Sequence, residues 1–331
     1  MKRILSIAVA FVATITVGAQ NIAVVSPSNS TKIYMTLDEA ITNAEAGSII
    51  YVPGGGFTVT DDAKIDKQLT IMGVSHRGDT DNVDGATVIS GNLNFIAGSS
   101  HSAVYGVYVS GNISLVDSIA EFTMRYCNVN SIQVSSSKSI GMDINQCYLR
   151  NTCNFGGCNV ILSNNIMHSA QNITGGKIKH CIITSRFCYS GRDYYATLKN
   201  IHSTTIINNF ITSNGSGVYS YTRHDGNNCF VSNNCVGTDS WGDDPIQLPE
   251  GTKWEDIFKA HKGVTIASNY HLTDTWADNN NPDLTDVGIY GGTGFKDENA
   301  VAPIPRIVSK EVDEQTDGSG KIQIKVTVKA Q

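Results

Sequence analysis

Charge is scarce in this chain: of its 331 residues only 16% are Asp, Glu, Lys or Arg. So few charges, beside abundant Ser, Thr, Asn and Gly, argue against a helical bundle and for a β-rich exported protein. Helical periodicity is missing along most of the chain, where short β-type runs take its place. No second apolar run of membrane-spanning length follows the N-terminal one, so no membrane span is expected in the mature chain. Basic residues are outnumbered, 24 Lys and Arg against 30 Asp and Glu, which argues against nucleic acid and anionic membranes as partners. Eight cysteines are present but no Cys-x-x-Cys pair, so zinc has no support.

What is present begins with a leader. Lys2 and Arg3 precede an apolar run from Ile4 to Val17 and a small-residue site at Val17-Gly18-Ala19. Residues 1–19 therefore read as a secretory signal peptide, with the mature chain starting at Gln20 in the periplasm, at the cell surface or outside the cell. No Cys follows the cut, so no lipid anchor is expected. Loss of Lys2 and Arg3 leaves 22 basic against 30 acidic groups, a formal charge of −8.

An amide or thiol recurs just before an apolar pair: Tyr126-Cys-Asn-Val129, Gln146-Cys-Tyr-Leu149, Asn164-Asn-Ile-Met167, His180-Cys-Ile-Ile183, Asn208-Asn-Phe-Ile211, Asn233-Asn-Cys-Val236 and, more loosely, Ser268-Asn-Tyr-His271. The second positions, Cys127, Cys147, Asn165, Cys181, Asn209, Asn234 and Asn269, are spaced by 20, 18, 16, 28, 25 and 35 residues. Upstream, Val88 to Phe95 and Tyr108 to Leu115 repeat each other. A period near twenty predicts a solenoid of stacked strands. The Leu-x-x-Leu-x-Leu spacing of leucine-rich repeats is absent, which leaves a parallel β-helix. At each corner an inward Asn, offering donors and an acceptor, is expected to stack on its neighbour and to satisfy the bent backbone. Asn also tolerates the left-handed conformation that corners require. Cys is small and readily buried, and fits the same slot.

Met35-Thr-Leu-Asp-Glu-Ala40, Ala44-Glu-Ala-Gly47, Ser48-Ile-Ile-Tyr-Val-Pro53 and Gly56-Phe-Thr-Val59 resemble the N-terminal cap of pectate-lyase-like β-helices. Asn281 to Gly292 resembles the Asp-Ile-Gly-Ala-Tyr-Gly-Gly closing motif of many secreted bacterial β-helices. The resemblance, over residues 35 to 295, implies an all-β chain forming a right-handed parallel β-helix. A helix around Leu37, Ala40, Ile41 and Ala44 would cap it within residues 20–300. Residues 301–331 read as a stiff linker, Val301-Ala-Pro-Ile-Pro-Arg306, then a hairpin of Ile307 to Val312 and Ile322 to Val328 about the turn Asp317-Gly-Ser-Gly320. Alternation of Ile322, Ile324, Val326 and Val328 with polar residues predicts a half-buried strand; the alternative is an export or sorting signal.

The three longest spacings imply insertions at 184–200, 212–228 and 237–264, all after the apolar pair and so on one side of the scaffold, where binding sites are usually built. They hold Arg186, Tyr189, Asp193, Tyr194, Tyr195, Tyr219, Tyr221, Asp225 and Trp241. Aromatic rings stack on sugar faces and Arg pairs with uronate or sulfate groups, so a polysaccharide, most naturally an acidic one, is the expected ligand of a monomer. A short helix is expected from Lys253 to His261. The fold family includes lyases, hydrolases, adhesins and proteins without activity, and the motif sets of its polygalacturonases and pectate lyases are not found. For a divergent enzyme the candidates are Arg192, Lys199, His202, Arg223 and His224, with Asp193 and Asp225 as cation ligands or orienting carboxylates. A Ca²⁺ ion would fit that chemistry; Asp79 to Gly85 and Asp274 to Asp286 are acidic but weak loops for one. The competing reading is a non-catalytic adhesin or spacer that contacts protein. Export permits disulfides, and Cys153 and Cys158 could close a loop across Asn154-Phe-Gly-Gly157, while Cys127, Cys147 and Cys181 need no partner and Cys188, Cys229 and Cys235 are unassigned.

Overall fold

The computed structural model describes residues 21–60, 64–77, 85–184, 187–188, 195–211, 223–232, 234–236, 246–247, 254–260, 269–273, 288–291, 306–312 and 324–329. Strands dominate, and most of them belong to two large sheets. Each repeat gives one strand to the first sheet and up to two short strands to the second. In one repeat these are Thr123–Arg125, then Asn128–Val129 and Ile132–Val134, before the chain returns to the first sheet at Met142–Asn145.

Neighbouring repeats pair in parallel, and the register follows the sequence repeat. Tyr108 faces Val88, Ile113 faces Leu93 and Leu115 faces Phe95. In the first sheet one unbroken inward column runs Ile50, Ile71, Val104, Met124, Ile144, Leu162, Ile178, Ile206 and Val231. Every member is buried. Burial of each aliphatic side chain contributes about 1.5–3 kcal/mol, and a slip by one residue would turn the whole column outward. The hydrophobic pattern therefore fixes the register.

The corner after the first sheet divides between two consecutive residues the two roles expected of one. The first-position residue takes the left-handed conformation: Gly106 (φ 62°), Tyr126 (55°), Gln146 (53°), Asn164 (54°), His180 (53°) and Asn208 (58°). The second points inward, and Cys127, Cys147, Asn165, Cys181, Asn209 and Asn234 are all buried. Thiol and amide donate to the same place, the carbonyl of the inward column residue one repeat back. Cys127 Sγ reaches Val104 O (3.5 Å) and Cys147 Sγ reaches Met124 O (3.6 Å), while Asn165 Nδ2 reaches Ile144 O (2.8 Å) and Asn234 Nδ2 reaches Ile206 O (2.7 Å). Only Asn also accepts, and Cys147 N and Cys181 N donate to Asn165 Oδ1 and Asn209 Oδ1, both at 2.8 Å.

The stack begins with the expected helix, α1 (Leu37–Asn43), whose Thr36 side chain accepts from Glu39 N and whose Leu37, Ala40 and Ile41 are buried. Sequence reasoning missed what lies beside it. Ile22–Val25 pairs antiparallel with both Thr31–Tyr34 and Ser48–Val52, and so covers the first edge of the sheet.

Four further expectations need correction. Cys153 and Cys158 form no disulfide; both lie buried and free on the strand Tyr148–Cys158, Cys158 Sγ donating to Ser136 O (3.2 Å). Asn269 leaves the ladder, because Asn269–Leu272 pairs antiparallel with Phe258–Ala260 instead of continuing the parallel stack. The helix expected over Lys253 to His261 is one turn, Trp254–Ile257, followed at once by the strand Phe258–Ala260, where Phe258 packs edge-on to Phe210 (ring centroids 5.2 Å). The C-terminal hairpin does form, Arg306–Val312 against Ile324–Lys329, yet Ile324 (59%) and Val326 (45%) are exposed, not half-buried. The leader falls outside the described residues. No helix among those described is long and apolar enough to cross a membrane.

Candidate ligand groove

The first two insertions leave the scaffold at one position, whereas within the third Ile246–Gln247 pairs parallel with Cys235–Val236 and continues the second sheet. Leu149, Met167, Ile183 and Ile211 align across the second sheet, so Arg150, His168 and Thr184 occupy equivalent places immediately before the chain either turns or enlarges. Arg150 braces this corner: its guanidinium lies over the Tyr108 ring, 4.5 Å from the centroid, and donates to Val109 O (2.6 Å). Burial holds the His168 imidazole below its ordinary pKa, so it is mainly neutral near pH 7.

Beyond this corner the first insertion rejoins the scaffold. Phe187–Cys188 pairs antiparallel with the start of Tyr195–His202, and the latter strand then runs parallel to Ile166–Thr174. Leu198 and Ile201 are buried, which leaves Lys199 half-exposed between them. Lys199 lies in register with Gln171 on one side and Asp225 on the other; His202 lies with Thr174 and Asn227. Arg223 and His224 fall opposite Ala196 and Leu198. Of the candidates read from the sequence, register thus brings Lys199 and Asp225 side by side. Tyr195 sits at the start of its strand opposite Cys188. Arg186, Tyr189, Arg192, Asp193, Tyr194, Tyr219, Tyr221 and Trp241 lie outside the described residues, as do Asp79 to Asp84 and Asp274 to Asp286.

The same strand borders an open groove of about 430 Å³, lined by Gln133, Val134, Ser135, Asn154, Gly156, Gly157, Asn172 and Asn200. Along it runs an amide ladder that sequence reasoning missed: Asn172 Nδ2 donates to Asn154 Oδ1 (2.8 Å), Asn200 Nδ2 to Asn172 Oδ1 (2.6 Å), and His202 Nε2 to Asn200 Oδ1 (2.5 Å). A parallel ladder joins Asn112, Asn130 and Asn151 at the preceding corner, with amide-to-amide bonds of 2.8 and 2.7 Å. The signal was available, since these asparagines recur at separations of 18 and 28 residues in one ladder and 18 and 21 in the other, like the buried corner. They carry no apolar neighbour pair, and so did not stand out. The Gly156-Gly157 pair coincides with the register shift between Asn154 and Cys158. Both glycines have positive φ, and a Cβ on Gly156 would fall 2.6 Å from Val134 O, so the floor there is bare peptide.

The chain matches no protein-family model, no curated protein and no solved structure. Its chemistry is therefore read from the groove alone. Among the described residues no group of three or more His, Cys, Asp or Glu side chains could hold a metal ion. Amides, a hydroxyl and peptide planes donate and accept hydrogen bonds without charge, and this suits recognition of a polar ligand more directly than proton transfer.

Proposed function

We propose that this chain is a right-handed parallel β-helix of the pectate-lyase-like class, exported from the cell, that binds a polysaccharide on the side where insertions 184–200, 212–228 and 237–264 emerge. One observation carries the reading: the strand that returns from the first insertion, Tyr195–His202, adds Asn200 to the polar groove on the rigid parallel sheet. Parallel register repeat after repeat supports the solenoid, and right-handed crossovers are the rule for parallel strands. A groove on a rigid stack beside variable loops is a common way to bind an extended chain.

Arg192→Ala with Tyr195→Ala tests the insertions. Glycan-array binding of the double variant is expected to fall about ten-fold or more; binding equal to the parent's would remove the insertions from the site. Ultraviolet detection of unsaturated uronate, with and without Ca²⁺, tests whether Lys199, Arg223, His202 or His224 adds lyase chemistry to binding. An adhesin or spacer that contacts protein is the second reading. It is favoured by Phe230 (57% exposed) and Ile161 on the outer face of the first sheet.

A further inference from the structure

We infer that the groove recognises an uncharged, polyhydroxylated stretch of glycan, not a uronate. The inference rests on the glycan reading above and narrows its ligand. Among the described residues every side chain lining the groove is neutral: the amides of Gln133, Asn154, Asn172 and Asn200, the hydroxyl of Ser135 and the isopropyl group of Val134. A carboxylate entering it would lose water without gaining a cation among those residues, and an ammonium group would find no carboxylate. Neither charge is compensated there.

Hydroxyl groups fit what the amides leave over. Asn172 spends one N–H on Asn154 and one lone pair on Asn200. An amide has two of each, so one N–H and one lone pair remain. A sugar hydroxyl both donates and accepts, so it satisfies such a mixed edge, whereas a carboxylate only accepts. The ladder also fixes its own side chains, which lowers the entropy cost of ordering them on a ligand. Successive rungs are about 4.8 Å apart, the interstrand spacing, so the edge repeats along the stack and suits a polymer.

The Gly156-Gly157 floor admits a ring at peptide distance, and the groove's volume of about 430 Å³ lies within the range of about 300–1,000 Å³ usual for small-molecule sites. Among the described lining residues Val134 carries the one aliphatic side chain and is buried, which offers a lipid little apolar surface. Arg186 and Arg192, the arginines that would favour an acidic polymer, lie outside the described residues.

Calorimetry with the full chain tests the inference, using neutral glucan, mannan and chitin oligosaccharides beside oligogalacturonate and oligoguluronate. Expected are binding of at least one neutral set and little change in its affinity between about 0.05 and 0.5 M NaCl, because no ion pair is screened. Ser135→Trp fills the groove from an exposed position and should weaken that binding about ten-fold or more, with an unaltered unfolding midpoint. Preference for uronates that fades with salt and ignores Ser135→Trp would overturn the inference and leave the glycan reading standing. Neutral binding indifferent to Ser135→Trp would overturn it too. Binding of neither set would overturn both.

Discussion

At Asn209 one buried amide serves the corners above and below it. It accepts from Cys181 N (2.8 Å), donates to Ile178 O (2.9 Å), and both its backbone N (3.0 Å) and its Nδ2 (2.9 Å) reach Asn234 Oδ1. Asn209→Ala strands a buried N–H and a buried carbonyl, and at about 1–3 kcal/mol each the expected loss is about 2–6 kcal/mol in urea unfolding. Asn209→Cys keeps a donor for Ile178 O, as Cys181 Sγ does for Leu162 O (3.7 Å). Its loss should therefore be about half as large. Equal losses from the two variants would mean that a thiol does not replace the amide here. This is why Cys and Asn alternate at one position: they share the donated bond and differ only in the accepted one.

Among elements, the segment Gly288–Gly291 is placed by residues far from it in sequence, through one side chain and one backbone carbonyl. Asn164 Nδ2 donates to Ile289 O (2.9 Å) and Gly291 O (2.8 Å), and Gly288 N donates to Asn208 O (2.9 Å). Gly288 has φ 82°, and a Cβ there would stand 2.9 Å from the Phe210 ring. Asn164→Ala removes both side-chain bonds, and amide hydrogen exchange at Gly291 should quicken about ten-fold or more while the strand Met142–Asn145 keeps its protection. Uniform quickening would show that Asn164 holds the stack and not the segment. Repeats, cap helix and register were legible because they rest on patterns local to some twenty residues. The partnership of Asn164 with Ile289 spans 125 residues, and nothing in either stretch names the other. The groove escaped for another reason: Gln133, Asn154 and Asn172 face outward, where no burial constrains the sequence. Apolar alternation at Ile324 and Val326 gave a strand correctly but could not say whether anything covers it.

For the whole molecule, six described cysteines remain free thiols, five of them buried. Burial pushes Cys153 and Cys181 up to about 12, and it also raises Cys147 and Cys158. An unfolded thiol titrates near 9.0. Because the folded values are the higher ones, the thiols' contribution is complete below about pH 9 and is lost as pH rises toward the folded values. Each fully buried thiol then removes about 1.4 kcal/mol per pH unit. Urea midpoints measured from about pH 8 to pH 11 should fall steeply, and Cys181→Asn should flatten the fall by one thiol's share. A flat profile in the parent would mean that the thiols do not report on the folded interior.

The long reach of Asn164 sets an order of assembly. Repeats close over 16 to 28 residues and can zip up one after another while the chain is still emerging, whereas the clasp at Ile289 and Gly291 must wait until some 125 more residues have been made. Growth of the stack and its fastening are thus separate events in time, and a chain cut short before Gly288 would be wound but unfastened.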